Sequence, residues 1–287
     1  QQLNPQLVYC SITGFGQTGP YAERPGYDFL IQGMAGLMSL TGEPDSQGGS
    51  PVKVGVAVTD LLTGLYAANA IQGALLERNK SGLGQYIDLA LLDVQVAALA
   101  NQASNYLIGG EIPQRLGNAH PNIVPYQAFA TADGHLILAV GNQGQFERLC
   151  QLLGKPDWLE DQRYQSNSAR VENRQRLCTQ ISQLLEKRSS KDWLAAFEQQ
   201  QIPCGPINNL EQLFEDPQLL ARNMLVSIEE RRSGELTLPA NPINYSRSQI
   251  NYSVPPPELG SSTESILSNY LEYSAMDIAE LRGRSII

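Results

Sequence analysis

Apolar residues recur along this chain with two different spacings, and the changes of spacing divide it. Leu7 to Ile12 (LVYCSI) is a short apolar run of the length expected for a buried strand. It empties into the glycines of Thr13 to Gly19 and then crosses Pro20 and Pro25. An amphipathic stretch from Tyr27 to Leu40 follows, stopped at Thr41-Gly42. Glu43 to Pro51 (EPDSQGGSP) is a polar turn or loop. Helical spacing resumes at Asp60 and runs to Asn79, ending before Ser81-Gly82. Gln85 to Leu89 then reads as a strand, Leu91 to Leu107 as one apolar helix, and Gly109 to Pro125 as loop.

Beyond that loop the texture changes. Tyr126–Thr131 and His135–Val140 flank Ala132-Asp133-Gly134, a hairpin signal. Helical patterns cover about Gln143–Leu153, Ala169–Lys187 and Lys191–Gln201, the last with Ser189 and Asp192 as a start signal. Ile207 to Ile287 is mixed, crosses Pro255-Pro256-Pro257, and ends in a short helix opened by Ser274 and Asp277. The block from about 119 to 205 therefore reads as a small α+β domain.

Composition narrows the function classes. A chain of 287 residues with 42% hydrophobic content can bury a sizeable core. A net charge of −9 argues against non-specific nucleic-acid binding. No apolar run reaches the length of a bilayer-spanning helix, so no membrane partner is expected. Cys10, Cys150, Cys178 and Cys204 lie far apart and only His120 and His135 are present, so no metal site is expected. Reduced thiols suit a cytoplasmic compartment. The strand reading begins almost at Gln1, without a methionine, and the expectation is that a further N-terminal portion belongs to the protein.

Two features carry candidate chemistry. Gly14-Phe15-Gly16-Gln17-Thr18-Gly19 fits G-x-G-x-x-G after a strand, yet Pro20 and Pro25 leave no helix to receive a pyrophosphate. It reads as a tight turn whose amides can approach a phosphate or thioester. Asp60 stands where a small-residue segment meets a long apolar helix, with Gly55, Ala57, Gly64, Ala67 and Ala68 around it. A carboxylate there is a helix cap or a nucleophile, and spacing alone leaves both readings open.

Four blocks bear on that choice: SITGFGQTGPYAERPGYD, GVAVTDLLTGLYAANAIQGALLERNKSGLGQYID, GNAHPNIVPYQAFATADGHLILAVGNQGQFERLC and QIPCGPINNLEQLFEDPQLLARNML. In this order they resemble the class III CoA-transferases, the superfamily of formyl-CoA transferase, carnitine CoA-transferase and the acyl-CoA racemases. Within it they are most similar to the succinyl-CoA:glutarate branch. The resemblance runs from about Leu3 to the C-terminus.

That resemblance implies an α/β fold, a Rossmann-like large domain with a smaller α+β domain, in an interlocked homodimer. By the same resemblance, residues 1–91 belong to the large domain, 92–118 link, 119–205 form the small domain, and 206–287 link and return to the large one. It also implies an N-terminal segment, preceding the matched region, that supplies much of the CoA pocket. In the family pattern Asp60 is the nucleophile, passing through an aspartyl-CoA thioester. CoA thioesters and carboxylic acids are the implied substrates, with no resident cofactor. From the loop amides, Thr13, Gly14, Phe15 and Gly16 are expected to lie on CoA. Tyr27, Arg115 and His120 are expected to meet the acyl or acceptor group, Arg115 holding the distal carboxylate of a dicarboxylate. The implied compartment is cytoplasmic, or mitochondrial in a eukaryotic relative.

Two departures shape the expectation. Gly117-Asn118-Ala119-His120-Pro121-Asn122 stands where formyl-CoA transferases carry a glycine run. Tyr27 stands where the racemase branch carries its histidine, and an unperturbed phenol near pKa 10 does not shuttle protons at neutral pH. An acyl-CoA racemase or hydrolase, and an inactive fragment of a transferase, remain the alternative readings.

Overall fold

The computed structural model describes residues 3–230 and 234–287. The chain separates into two compact units, Gln1–Ile207 and Asn208–Ile287.

The first unit opens with β1 (Tyr9–Thr13), α1 (Asp28–Met34) and the long α2 (Val58–Ser81), followed by β2 (Tyr86–Ala90). β1 and β2 pair in parallel, Tyr9 opposite Tyr86 and Thr13 opposite Ala90. Parallel neighbours need a crossover, and α2 supplies it, giving the β-α-β unit from which Rossmann-like sheets are built. The run LVYCSI is a strand, but only half covered: Leu7, Tyr9 and Ile12 are each about half exposed. Among the described residues β1 has β2 as its one neighbour, so the expected full burial does not occur.

α2 also inverts its apparent amphipathicity. Its buried positions are Thr59, Thr63, Ala67 and Ala74, whereas Leu61, Leu65 and Leu76 point outward. Spacings of four and seven put the small residues on one face, where they admit close neighbours. Gly82, at φ 75°, ends the helix in the left-handed region that glycine tolerates.

The expected single helix over Leu91–Leu107 is two, α3 (Leu91–Ala98) and α4 (Ala100–Leu107), broken at Ala100 with φ 48°. After the break, the Nδ2 groups of Asn101 and Asn105 donate to Asn122 Oδ1, tying α4 to the loop before the next strand. β3 (Tyr126–Ala130), β4 (His135–Ala139) and, later, β5 (Cys204–Pro206) form an antiparallel sheet in the order β3-β4-β5. Between them run α5 (Gln143–Leu152), α6 (Asn167–Glu172), α7 (Arg174–Leu185) and α8 (Ser190–Gln199). The expected helix over 169–187 is broken at Asn173, whose side-chain amide donates to the Ala169 carbonyl. The main hydrophobic core lies here, with Phe129, Leu136, Leu138, Phe146, Leu149, Leu177, Ile181 and Phe197 closed to solvent. Cys150 and Cys178 are buried free thiols, raised to about 12 and about 11 by desolvation.

The second unit holds α9 (Leu210–Phe214), α10 (Pro217–Ala221), the hairpin strands β6 (Leu225–Glu230) and β7 (Gly234–Pro239), α11 (Thr263–Leu271) and α12 (Ala275–Gly283). Ser274 and Asp277 open α12 with a full capping box.

Candidate active site

Asp60 occupies the third helical position of α2, and the backbone entering that helix determines what its carboxylate can do. The residue before the helix is Ala57, which has no side-chain acceptor to offer. Its φ −74° and ψ 68° are those of an inverse γ-turn, closed by the Val58 amide on the Val56 carbonyl at 2.8 Å. The Thr59 amide is taken from outside the helix, by Asp28 Oδ1 at 2.8 Å. The first two helical amides are thus satisfied without Asp60. Asp60 is exposed, and among the described residues its carboxylate accepts no hydrogen bond and enters no ion pair. Of the two sequence readings, the cap belongs to Asp28, not Asp60.

A buried polar relay backs this turn. Asp28 Oδ2 accepts from Gln32 Nε2 at 2.7 Å, and Gln32 Oε1 accepts the Val54 amide at 2.9 Å. The Thr59 hydroxyl donates to Gln95 Oε1 at 2.6 Å, and the Thr63 hydroxyl to the Thr59 carbonyl at 2.8 Å. Gln32, Gln95, Thr59 and Thr63 are all buried. Buried amides and hydroxyls persist only when paired, so this set fixes the segment Val54–Asp60 to α1 and α3. Sequence reasoning missed Gln32 and Gln95. The four-residue spacing of Asp28 and Gln32 on one helix face was the available signal.

The glycine loop has a structural origin. A Cβ on Gly14 would lie 2.5 Å from the Gly26 Cα, and one on Gly26 would lie 2.4 Å from the Gly14 Cα. The two backbones touch, and no other residue fits at either position. Gly16 has φ 88°, and its amide donates to Thr13 Oγ1 at 2.8 Å. The Gln17 amide donates to Asp88 Oδ2 at 3.0 Å, so Asp88 holds the loop. Phe15 is in a small core with Ile31, Ala35 and Leu91. Of the four loop residues expected on CoA, Gly14 and Phe15 are buried, Thr13 engages its hydroxyl within the loop, and Gly16 is partly open. Tyr27 is 77% exposed at the start of α1, its side chain making no capping bond.

Arg115 and His120 lie in the loop before β3. The Arg115 guanidinium pairs with Asp45, and its Nε donates to the Glu43 carbonyl at 3.2 Å. The arginine side chain is 10% exposed while that of Asp45 is 76% exposed. His120 Nδ1 accepts the Asn122 amide at 3.1 Å, and its ring lies 5.2 Å from that of Tyr126. Burial, and then the charge of Arg174, lowers the His120 pKa, which favours the neutral imidazole. Arg174 donates to the Pro121 carbonyl at 2.7 Å, and its Nη1 is buried without a partner. It lines a cavity of about 480 Å³ with Glu43, Gln127 and Cys178. Nothing in the sequence pattern distinguishes Arg174 from a solvated helix arginine.

Among the described residues no group of three or more His, Cys, Asp or Glu could hold a metal ion, and no helix is long and apolar enough to cross a membrane.

Comparisons with known proteins bear on this arrangement as a whole. The chain is 52% identical over 266 residues to the succinate–glutarate CoA-transferase of Agrobacterium fabrum, covering 93% of this chain and 66% of that protein. It is 41% identical over 286 residues to the succinyl-CoA:glutarate CoA-transferase of Homo sapiens, covering all of this chain and 65% of that one. The chain thus spans just under two thirds of the length of these relatives. Among solved structures, a CAIB/BAIF family protein from Brucella suis superposes with a TM-score of 0.77 at 46% identity, over 93% of this chain and 69% of that one. The family description "CoA-transferase family III" matches residues 1–263. The chain belongs to CoA-transferase family III.

Proposed function

We propose that this protein transfers CoA from an acyl-CoA, succinyl-CoA in the first place, to a carboxylic acid acceptor such as glutarate, with Asp60 as the nucleophile. The names of the two relatives support this donor and acceptor. The observation that carries the role of Asp60 is its exposed carboxylate, left unengaged at the head of a long helix whose first amides bond elsewhere.

The chemistry balances on this one group. A carboxylate oxygen attacks the thioester carbonyl, the C–S bond breaks, and a mixed anhydride and CoA thiolate result. The thiolate attacks the aspartyl carbonyl and expels the donor acid, leaving an aspartyl-CoA thioester. An acceptor carboxylate attacks that thioester, regenerating an anhydride and thiolate. Thiolate attack on the acceptor's acyl carbon then releases the new acyl-CoA and the Asp60 carboxylate.

The remaining assignments rest on the chemistry of the residues and their place in the chain. Thr13–Gly16 lies beside the thioester, approached through Gly16 because Phe15 is committed to the core. Tyr27 borders the acyl group. Arg115 anchors the distal carboxylate of a dicarboxylate, with His120 beside it, and the exposed Asp45 stands where that carboxylate would bind. A homodimer with interlocked protomers, residues 206–287 returning to the large domain, completes the reading.

The test is trapping. Full-length protein turning over succinyl-CoA and glutarate, quenched with borohydride or hydroxylamine, acquires its adduct at Asp60. A labelled protein with Asp60 unmodified removes the assignment. For Arg115, replacement by alanine raises the KM of dicarboxylate acceptors about tenfold and leaves monocarboxylates alone, and equal loss on both excludes it as the anchor.

A further inference from the structure

The reactive turn is held at both ends by one pair of side chains. Val54 and Thr59 bracket the segment Gly55–Val58, and Asp60 follows Thr59. Gln32 binds the amide at the first end at 2.9 Å and Asp28 the amide at the second at 2.8 Å, and the two side chains join each other at 2.7 Å. Every donor and acceptor in this chain of bonds is matched. The Asp28 carboxylate accepts twice; the Gln32 amide donates to it and accepts from Val54.

We propose that Asp28 and Gln32 form a positioning relay for the transferase reaction, which clamps the turn and supplies the helix cap so that the Asp60 carboxylate stays unbonded and open to the thioester. This inference rests on the nucleophilic reading of Asp60. Its physical content is the backbone conformation at Ala57. An aspartate at the third helical position can fold back onto its own helix start, as Asp277 does on the Ser274 amide at 2.8 Å in α12. Asp60 is kept from doing so because the inverse γ-turn at Ala57 lacks the extended backbone of a capping box, and the bonds of Gln32 to Val54 and of Asp28 to Thr59 hold that turn in place. When the relay is lost, the turn is free to relax toward extended backbone at Ala57, and the Asp60 carboxylate can then fold back onto the Ala57 amide. Neither Asp28 nor Gln32 touches substrate in this scheme.

Isosteric exchange tests the relay through its donor–acceptor logic. In Asp28→Asn the new amide faces Gln32 Nε2, two donors meet, and one end of the clamp opens. Adding Gln32→Glu restores the match, since the introduced carboxylate accepts both from the introduced amide and from the Val54 N–H. With the full-length protein, Asp28→Asn lowers kcat about tenfold with the KM for succinyl-CoA within about twofold of wild type. The double variant Asp28→Asn/Gln32→Glu recovers to within about threefold. Carbodiimide labelling of Asp60, followed by mass spectrometry, slows in the single variant and recovers in the double.

A single variant with wild-type kcat, or a double variant no better than the single, overturns the proposal. So does labelling of Asp60 at one rate in all three proteins. An inactive wild type without an Asp60 adduct sinks the transferase reading instead, and the labelling rates still decide the relay.

Discussion

Two aspartates in this protein hold the same position at the start of a helix and meet opposite fates. Asp277 is the third helical residue of α12 and Asp60 the third of α2. Asp277 accepts from the Ser274 amide and hydroxyl, while Ser274 Oγ accepts the Asp277 amide at 3.2 Å. Those bonds lower the Asp277 pKa, the side-chain bond from Ser274 being the largest cause. Asp60 has none of them. The residue type and its offset are identical, so the difference lies in what precedes it: serine with ψ 160° in one helix, alanine with ψ 68° in the other. A carboxylate at a helix start is a cap by default and becomes a chemical group only where the surroundings relieve it of that duty.

The largest expected effect comes from exchanging the two acids for their amides. Asp60→Asn lowers CoA transfer by about a thousandfold or more, because an amide oxygen does not form the anhydride. Asp277→Asn leaves kcat within about twofold. Comparable losses in the two variants, read from succinyl-CoA consumption, would erase the distinction.

Making one helix start like the other comes next. Ala57→Ser offers α2 the cap that α12 has, and it raises stability by about 0.5–1 kcal/mol in denaturant melts. If the new cap draws the turn toward a capping box, kcat falls several-fold as Asp60 is recruited. A variant that is more stable and equally active would show that the γ-turn is held by the relay alone.

The smallest effect is with acid. A depressed carboxyl pKa contributes stability that is present above the ordinary value near 3.8 and is lost as pH falls through the lower folded value. Amide protection at the start of α12 therefore declines below about pH 4. Unchanged hydrogen-exchange protection of the Asp277 amide across that range would mean that the pairing with Ser274 does not hold the start of α12.

Much of the scaffold was legible in the sequence because local patterns and tertiary environment agree. The hairpin around Ala132-Asp133-Gly134, the start of α8 at Ser189 and the capping box of α12 were all readable from turn and cap chemistry. The helix from Asp60 was readable too, although it begins at Val58. The misreadings have one physical source, which is that partners distant in sequence decide the outcome. Leu91–Leu107 reads as one apolar helix from its spacing, yet Asn122 bonds Asn101 and Asn105 and ties down the second half. α2 looks core-facing through its leucines, yet it buries threonines and alanines because close approach of α1 and α3 needs small residues. At the site, Asp60 could be singled out, but its freedom depends on Asp28, far earlier in the chain, and on a backbone angle at Ala57 that no residue pattern encodes. Arg115 was expected to meet a substrate carboxylate, and its partner Asp45 lies in a stretch that reads only as a polar turn.

The contact between Gly14 and Gly26 has a practical corollary for anyone modifying this protein. It pins the two ends of a surface excursion together, so the part between them behaves as a loop with fixed anchors. Residues Gln17–Gly19 and Glu23–Pro25 are exposed, and lengthening such a loop costs little, since closure entropy grows only with the logarithm of its length. An epitope tag or a reporter peptide inserted within that span would leave the glycine crossing intact, whereas a single methyl group added at either anchor would not.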